Sequence, residues 1–327
     1  MHLPRLVSIS NSLSILTLVA EMAYCQSSAM SSENDYPYRP IRILASEPGG
    51  NTDVVARAIA PGLASLFSQN MVVENRPAIL AGATASRATP DGYTLLLGSS
   101  TLWIAPLLQE VPYVFHRAFE TITLAANSPN IVVMHASSSI KSVKELIEVA
   151  KLKPGALNYA SASIGSASHL GAELFKYMAG VNIVHVPYKG AGPALSALVA
   201  AQVDVSFGSA GSTYPHVKSG RVRALAVTSS QPTALAPGLP TVASAGLPGY
   251  ESLALLGMFA PAKTAASIIS RVNREVIRAL NDADVKDRLF KMGLDTMNST
   301  PVEAANKIKF DTARLGSMIK AAGMRLD

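Results

Sequence analysis

The chain has 327 residues, 49% of them hydrophobic and 15% charged, which is enough apolar material for one large or two medium domains and excludes a chain disordered throughout. Its one cysteine, Cys25, excludes an internal disulfide and any clustered-thiolate metal site, since both need at least two sulfurs. Lys and Arg (28) outnumber Asp and Glu (22) to give +6, but they are scattered without a run or stripe, so a small anion is a better-suited partner than nucleic acid.

Residues 1–29 have the order of a secretory signal peptide: Arg5, then the apolar run 13–20, then small and polar residues. The run is shorter than the ~20 residues a spanning helix needs. Ser27-Ser28-Ala29 offers the small residues a signal peptidase reads, whereas the bulky Tyr24 before Cys25 fits a lipoprotein site poorly. Cleavage and a soluble exported product are expected.

From residue 36 onward, short apolar β-rich runs alternate with helical patterns. Strands are expected at 41–45, 71–74, 93–97, 131–134, 183–186, 203–207, 222–228 and 253–259, and this alternation predicts an α/β fold with a mainly parallel sheet. The first helix, from about Asp53, carries Val54, Val55, Ile59, Leu63 and Leu66 on one face, and Pro61-Gly62 in its middle predicts a kink or an end there. Ser142 and Glu145 read as a capping box ahead of a stripe of Val143, Leu146, Ile147 and Ala150, with Pro154-Gly155 as its stop. Ile268, Ile269, Val272, Val276 and Leu280 give a helix over 265–280, and Thr300-Pro301-Val302-Glu303 starts another. No repeat of 20 to 50 residues is visible, which excludes solenoids and propellers.

Three strand-to-helix turns carry the functional signal, because helix starts beyond strand ends offer free N–H groups and partial positive charge. The first is Pro48-Gly49-Gly50-Asn51-Thr52-Asp53, where glycines admit close backbone approach and Thr52 or Asn51 can cap. The second, from Ser161 to His169, holds four serines and Gly165, more hydroxyls than capping requires. The third is His185-Val186-Pro187-Tyr188-Lys189-Gly190, in which Lys189 adds a point charge. Each also has a plain reading, as a capped turn, a polar loop and a solvated lysine. Catalytic and metal patterns fit poorly. Gly165-Ser166-Ala167-Ser168-His169 puts histidine where a nucleophile elbow needs glycine, no two histidines have metal-ligand helical spacing, and no phosphate-loop or dinucleotide fingerprint follows a strand. Asp53 and Asp204 could be paired as acid and base, but nothing in the sequence places them together.

The ordered set PGGNTD, VVENRP, PDGYTLLLGS, SASIGSASHLGAELFKYMAGV, HVPYKGAGPAL, VDVSFGS, SGRVRALAVTS and IKAAGMRLD resembles the solute-binding proteins of tripartite tricarboxylate transporters, the Bug family, from about Tyr36 to Asp327. The resemblance implies a periplasmic binding protein of two α/β lobes joined by crossing strands, with the ligand in the cleft between them. It implies no catalysis, no cofactor and no metal. Chain order then places one lobe at 36–138 plus 246–327 and the other at 139–245. The implied partners of this monomer are a small carboxylate (a di- or tricarboxylate, acidic amino acid or aromatic acid) and the membrane permease subunits.

By the same resemblance, the ligand carboxylate is held by Gly49, Gly50, Thr52 and Asp53 on one side and Ser161, Ser163, Gly165, Ser166 and His169 on the other. Tyr188, Lys189, Gly190 and Asp204 with Phe207 match further cleft segments. Three departures stand out: Glu47 before the Pro-Gly-Gly turn, Ala78 to Thr84 where a glycine-rich stretch is usual, and Trp103 as either a ligand-stacking residue or a core aromatic. Two rival readings remain at this level: a secreted α/β hydrolase with a serine nucleophile in 161–168 and His169 or His185 as base, and a ligand-binding sensor component.

Overall fold

A computed structural model describes residues 36–324; the signal-peptide reading of residues 1–29 lies outside the described residues. In chain order the elements are β1 (Ile41–Ala45), α1 (Asn51–Phe67), β2 (Met71–Asn75), α2 (Ala78–Ser86), β3 (Thr94–Ser99), α3 (Thr101–Leu108), α4 (Phe115–Ala118) and β4 (Phe119–His135). These are followed by α5 (Val143–Leu152), β5 (Asn158–Ser161), α6 (Ala167–Ala179), β6 (Val184–Pro187), α7 (Ala191–Val199), β7 (Val205–Ser209), α8 (Ala210–Lys218) and β8 (Val222–Val227). The chain closes with β9 (Leu253–Pro261), α9 (Ala266–Leu280), α10 (Ala283–Lys291), β10 (Asp295–Thr296) and α11 (Pro301–Ala321).

Two three-stranded parallel units lie at the ends of the strand order. In one, β2, β1 and β3 run parallel; in the other, β6, β5 and β7 do. Antiparallel strands join them. β9 pairs β3 and the first part of β4, down to Pro129 opposite Leu253; from Asn130, opposite Ser209, β4 pairs β7 and β8 instead. One 17-residue strand thus passes, at Pro129/Asn130, from pairing with β9 to pairing with β7 and β8. The sequence shows only 131–134 as strand because Glu120, Thr121, Thr123, Asn127 and Ser128 interrupt the apolar run upstream. The four-residue β5 has a single large apolar side chain, Tyr159, and gives no alternating pattern to read.

The helical stripes are core as expected: Ile268, Ile269, Val272, Val276 and Leu280 of α9 are all buried, each contributing about 1.5–3 kcal/mol by leaving water. Thr300 and Glu303 form the full capping box of α11, with Pro301 in its first turn. At α5 half of the expected box forms: the Ser142 hydroxyl accepts from the Glu145 N–H, while the Glu145 carboxylate reaches the Lys141 N–H.

The break expected at Pro61-Gly62 does not occur; α1 runs unbroken through both. Pro61 is on the exposed face, so water can take the carbonyl that its missing N–H leaves free. Gly62 faces α9, where a Cβ would make an ordinary 3.4 Å contact with the Ala279 side chain. Trp103 is a core aromatic, 2% exposed and packed on Phe115 and Phe259 at ring-centroid distances of 5.7 and 6.0 Å.

Candidate functional site

The β1–α1 loop is held by its own side chains. The Ser46 N–H donates to Thr52 Oγ1 at 2.9 Å, and the Gly50 N–H donates to the Glu47 carbonyl at 3.0 Å. Asp53 Oδ2 accepts from the Gly49 N–H at 2.9 Å, and its Oδ1 accepts from Arg57 Nε at 2.7 Å and Asn75 Nδ2 at 2.8 Å. Gly49 sits at φ +76°, a conformation that favours glycine. Burial pushes the Asp53 pKa up, but these three donors more than offset it, so the carboxyl titrates below its ordinary value. Thr52 and Asp53 therefore face inward and shape the loop, and Asn51, at the start of α1, is the loop residue on the cavity described below. Glu47 is exposed and outside that cavity's lining. Glu47→Ala is expected to change ligand affinity by less than about twofold, given solvent screening; a severalfold tightening by calorimetry contradicts this placement.

The serine loop has a similar internal order. Ser166 caps α6: its hydroxyl accepts from the His169 N–H at 3.3 Å and donates to the Ser163 carbonyl at 2.6 Å. Ser168 Oγ accepts from the Ala162 N–H at 3.0 Å. Ser161 is fully buried, with its hydroxyl 2.7 Å from His185 Nε2. His169 Nδ1 accepts from the Gly165 N–H at 3.0 Å, which places the ring proton of the neutral imidazole on Nε2.

Between the two lobes lies a cavity of about 150 Å³. Four helix starts meet it: Asn51 of α1; Ser166, Ala167 and Ser168 of α6; Ala191 and Ala194 of α7; and Ser209, Ser212 and Thr213 of α8. Ser128 and Asn130 of β4 and Ala254 of β9 line it at the crossing, and Ala162, Leu195, Ser206 and Gly208 line the rest. In α1, α7 and α8 no side chain caps the first-turn N–H groups, which leaves them free for a ligand. Among the described residues the lining contains no Asp, Glu, Lys, Arg or His. Such a site favours an anion through N–H dipoles and hydroxyls, each helix start being worth about 0.3–1 kcal/mol when exposed and more when partly buried.

Of the residues singled out in the sequence, Ser166 lines this cavity directly. Gly49, Gly50, Thr52, Asp53, Ser161, Ser163, Gly165 and His169 belong to the two loops behind it. Tyr188 and Gly190 are pinned to the serine loop, donating from their N–H groups to the Ser161 and Ala162 carbonyls at 3.0 and 2.8 Å; Lys189 is exposed. Asp204 is set apart: it precedes β7, at the end opposite the cavity, where its carboxylate accepts from the Asn158 N–H at 2.9 Å, and Phe207 is core. An acid–base pairing of Asp53 with Asp204 has no geometric basis. The fourth helix start, α8, escaped the sequence reading. Its signal was present in Ser209-Ala210-Gly211-Ser212-Thr213 directly after a strand.

The hydrolase arrangement also finds no working geometry. The serine with a histidine partner, Ser161, is buried and off the cavity, while Ser166 and Ser168 on the cavity have no imidazole within hydrogen-bond distance among the described residues.

Behind the serine loop Tyr159, His185 and His169 form a stack, with ring centroids 4.8 Å apart for the first pair and 4.2 Å for the second. Glu173 accepts from the Tyr159 hydroxyl and from Lys176 Nζ, both at 2.6 Å. Burial first and the neighbouring His185 second, against the pull of Glu173, hold the His169 pKa down at about 4; burial also lowers that of His185. The unfolded chain takes up this proton near pH 6.5 and the folded chain only near 4, so folding stability falls as pH drops through that window. The Tm is expected to decline from pH 6.5 to 4, and His169→Asn to flatten the decline, leaving the part due to His185. An equally steep decline in the variant contradicts the assignment.

The family model described as "Tripartite tricarboxylate transporter family receptor" matches residues 55–324. A UPF0065 protein from the tcbD-tcbE intergenic region of a Pseudomonas species is 36% identical over 290 residues, covering 87% of this chain and 86% of that protein. Among solved structures, R. palustris Rpa4515 with adipate superimposes with a TM-score of 0.73 at 30% identity over 89% of this chain and 99% of the other. MatC (Rpa3494) from Rhodopseudomonas palustris with bound malate gives 0.70 at 29% identity over 87% and 100%.

Proposed function

The chain belongs to the tripartite tricarboxylate transporter receptor family, a family of solute-binding receptors, and we propose that it works in the periplasm, where it captures a small carboxylate-containing metabolite and hands it to membrane permease subunits. The observation that carries the carboxylate reading is the convergence of four helix starts on an interlobe cavity whose lining, among the described residues, has no charged side chain. Adipate and malate in the two related structures are carboxylates of a size that such a cavity suits.

Binding couples to motion by the same geometry. The cavity takes Asn51 from one lobe and Ser166 from the other, so a ligand touches both only when they are closed, and its binding energy shifts the population toward the closed form. The protein binds without turnover. In a thermal-shift screen of the exported protein, mono-, di- and tricarboxylates are expected to raise Tm as RT ln(1 + [L]/Kd). Shifts only with neutral sugars or cationic solutes overturn the carboxylate reading, and ester hydrolysis lost in Ser166→Ala overturns the receptor reading in favour of the hydrolase.

A further inference from the structure

We infer that the lobe built on β5, β6 and β7 docks on an anionic lipid surface through its end opposite the cavity. The face is separate from the ligand site, so the inference holds whichever ligand the protein carries. The cavity sits where β5 and β7 run out into helix starts. At the other end of the lobe the parallel strands begin, and β4, α5, α6, α7 and α8 finish.

Charge is the first feature of that end. Lys151, Lys153, Lys218 and Arg221 are exposed there, and none of the four has an ion-pair partner among the described residues. Asp204, the acidic residue in the turns at this end, is half-buried and its carboxylate already accepts from the Asn158 N–H. Glu148 and Glu173, further up α5 and α6, are paired with Lys144 and Lys176. The negative carbonyl ends of helices account for Lys151 and Lys218, which lie in last turns. They do not account for Lys153 and Arg221, which lie beyond the helix ends.

Apolar exposure is the second. Leu152 is 80% exposed between two lysines, and Tyr177 in the last turn of α6 and Val184 at the start of β6 are 52% and 47% exposed. Backbone bonds bring these segments together: the Gly155 N–H donates to the Asn182 carbonyl at 3.0 Å and the Val184 N–H to the Leu157 carbonyl at 2.9 Å. An acidic protein would satisfy the cations alone. An anionic bilayer satisfies both, since its headgroups take the cations and its acyl boundary takes the apolar side chains. Long lysine stems let the ammonium groups stay at headgroup level while Leu152 inserts.

Co-sedimentation of the exported protein with vesicles of phosphatidylglycerol and phosphatidylcholine in equal parts tests the inference. Binding is expected at about 50 mM salt, with a loss of at least about tenfold at about 300 mM as screening shortens the reach of the charges. Lys151→Glu with Lys153→Glu should weaken it by about 25-fold or more, at about fivefold for each basic residue removed. Leu152→Gln should weaken it by about tenfold through lost apolar burial. Lys286→Glu with Arg288→Glu, on α10 of the other lobe, makes the same change in net charge and should leave binding unaltered. All five side chains are exposed, so the fold is not at stake. No binding to these vesicles at low salt, or equal weakening by the α10 pair, overturns the inference. Leu152→Gln binding like the wild type, or soluble polyglutamate binding as tightly as the vesicles, overturns the bilayer in favour of an acidic protein.

Discussion

Gly211→Leu is expected to lower ligand affinity by about 100-fold or more while the protein stays folded. Gly211 lies in the first turn of α8, and a Cβ built on it would stand 2.9 Å from Gly293 Cα and 3.0 Å from the Met292 carbonyl oxygen, both backbone atoms that have no rotamer by which to yield. Gly293 follows α10, and its carbonyl accepts from the hydroxyl of Ser128, a cavity residue on the crossing strand. The glycine pair is therefore a point where the two lobes touch backbone to backbone, next to the helix start that lines the cavity. A side chain here wedges the lobes apart, and the ligand then loses one of its two walls. Stability changes little by contrast, because replacing glycine in a helix lowers the entropy cost of folding by up to ~1 kcal/mol and offsets part of the lost contact. Gly211→Ala should give an intermediate loss. Unchanged affinity in Gly211→Leu, measured by calorimetry, means that the glycine contact plays no part in closure.

Asp53→Ala is expected to cost about 2–3 kcal/mol of stability, the scale for removing a charged acceptor from several donors. It should lower Tm by roughly 4–10 °C and weaken binding by at least about tenfold. The carboxylate ties the Gly49 N–H, Arg57 and Asn75 together, and Asn75 also donates to the Ser46 carbonyl at the loop's beginning, so one residue fixes both ends of the loop that leads into α1. Without it the start of α1 is no longer aimed at the cavity. Asp53→Asn keeps an oxygen for the Gly49 N–H and should lose less on both counts. Retained Tm and affinity in Asp53→Ala refute the role of this carboxylate as the tie of the loop.

These two residues also show how far the sequence could be read. The two glycine- and serine-rich turns stand out because they combine special backbone residues with caps immediately after apolar runs, and both loops lie behind the cavity. The roles within them were less legible. Thr52, Asp53 and His169 look like ligand-facing polar groups, yet Thr52 Oγ1 and His169 Nδ1 already accept from backbone N–H groups of their own loops and Asp53 is engaged by Gly49, Arg57 and Asn75, and only three-dimensional closure of a turn reveals such partners. Asp204 carries the same lesson, since its carboxylate is used by the Asn158 backbone at the far end of β7. Gly211 was not singled out at all: the atoms that demand glycine there belong to a segment 82 residues further on, and no local pattern reports them. The helix through Pro61 is a case of tertiary context deciding, because exposure of the proline face lets water take the freed carbonyl and so reduces the penalty that the sequence rule assumes.

The proposed hold on the ligand's carboxylate is by backbone N–H groups at helix starts from both lobes, with no side-chain cation involved. The crystal structure of the protein with a bound dicarboxylate tests it most directly. Carboxylate oxygens are expected within about 2.7–3.2 Å of N–H groups or hydroxyls at the starts of α1 and α6, directly or through one water. A carboxylate bound instead by a lysine or arginine side chain, or lodged outside the interlobe cavity, contradicts it.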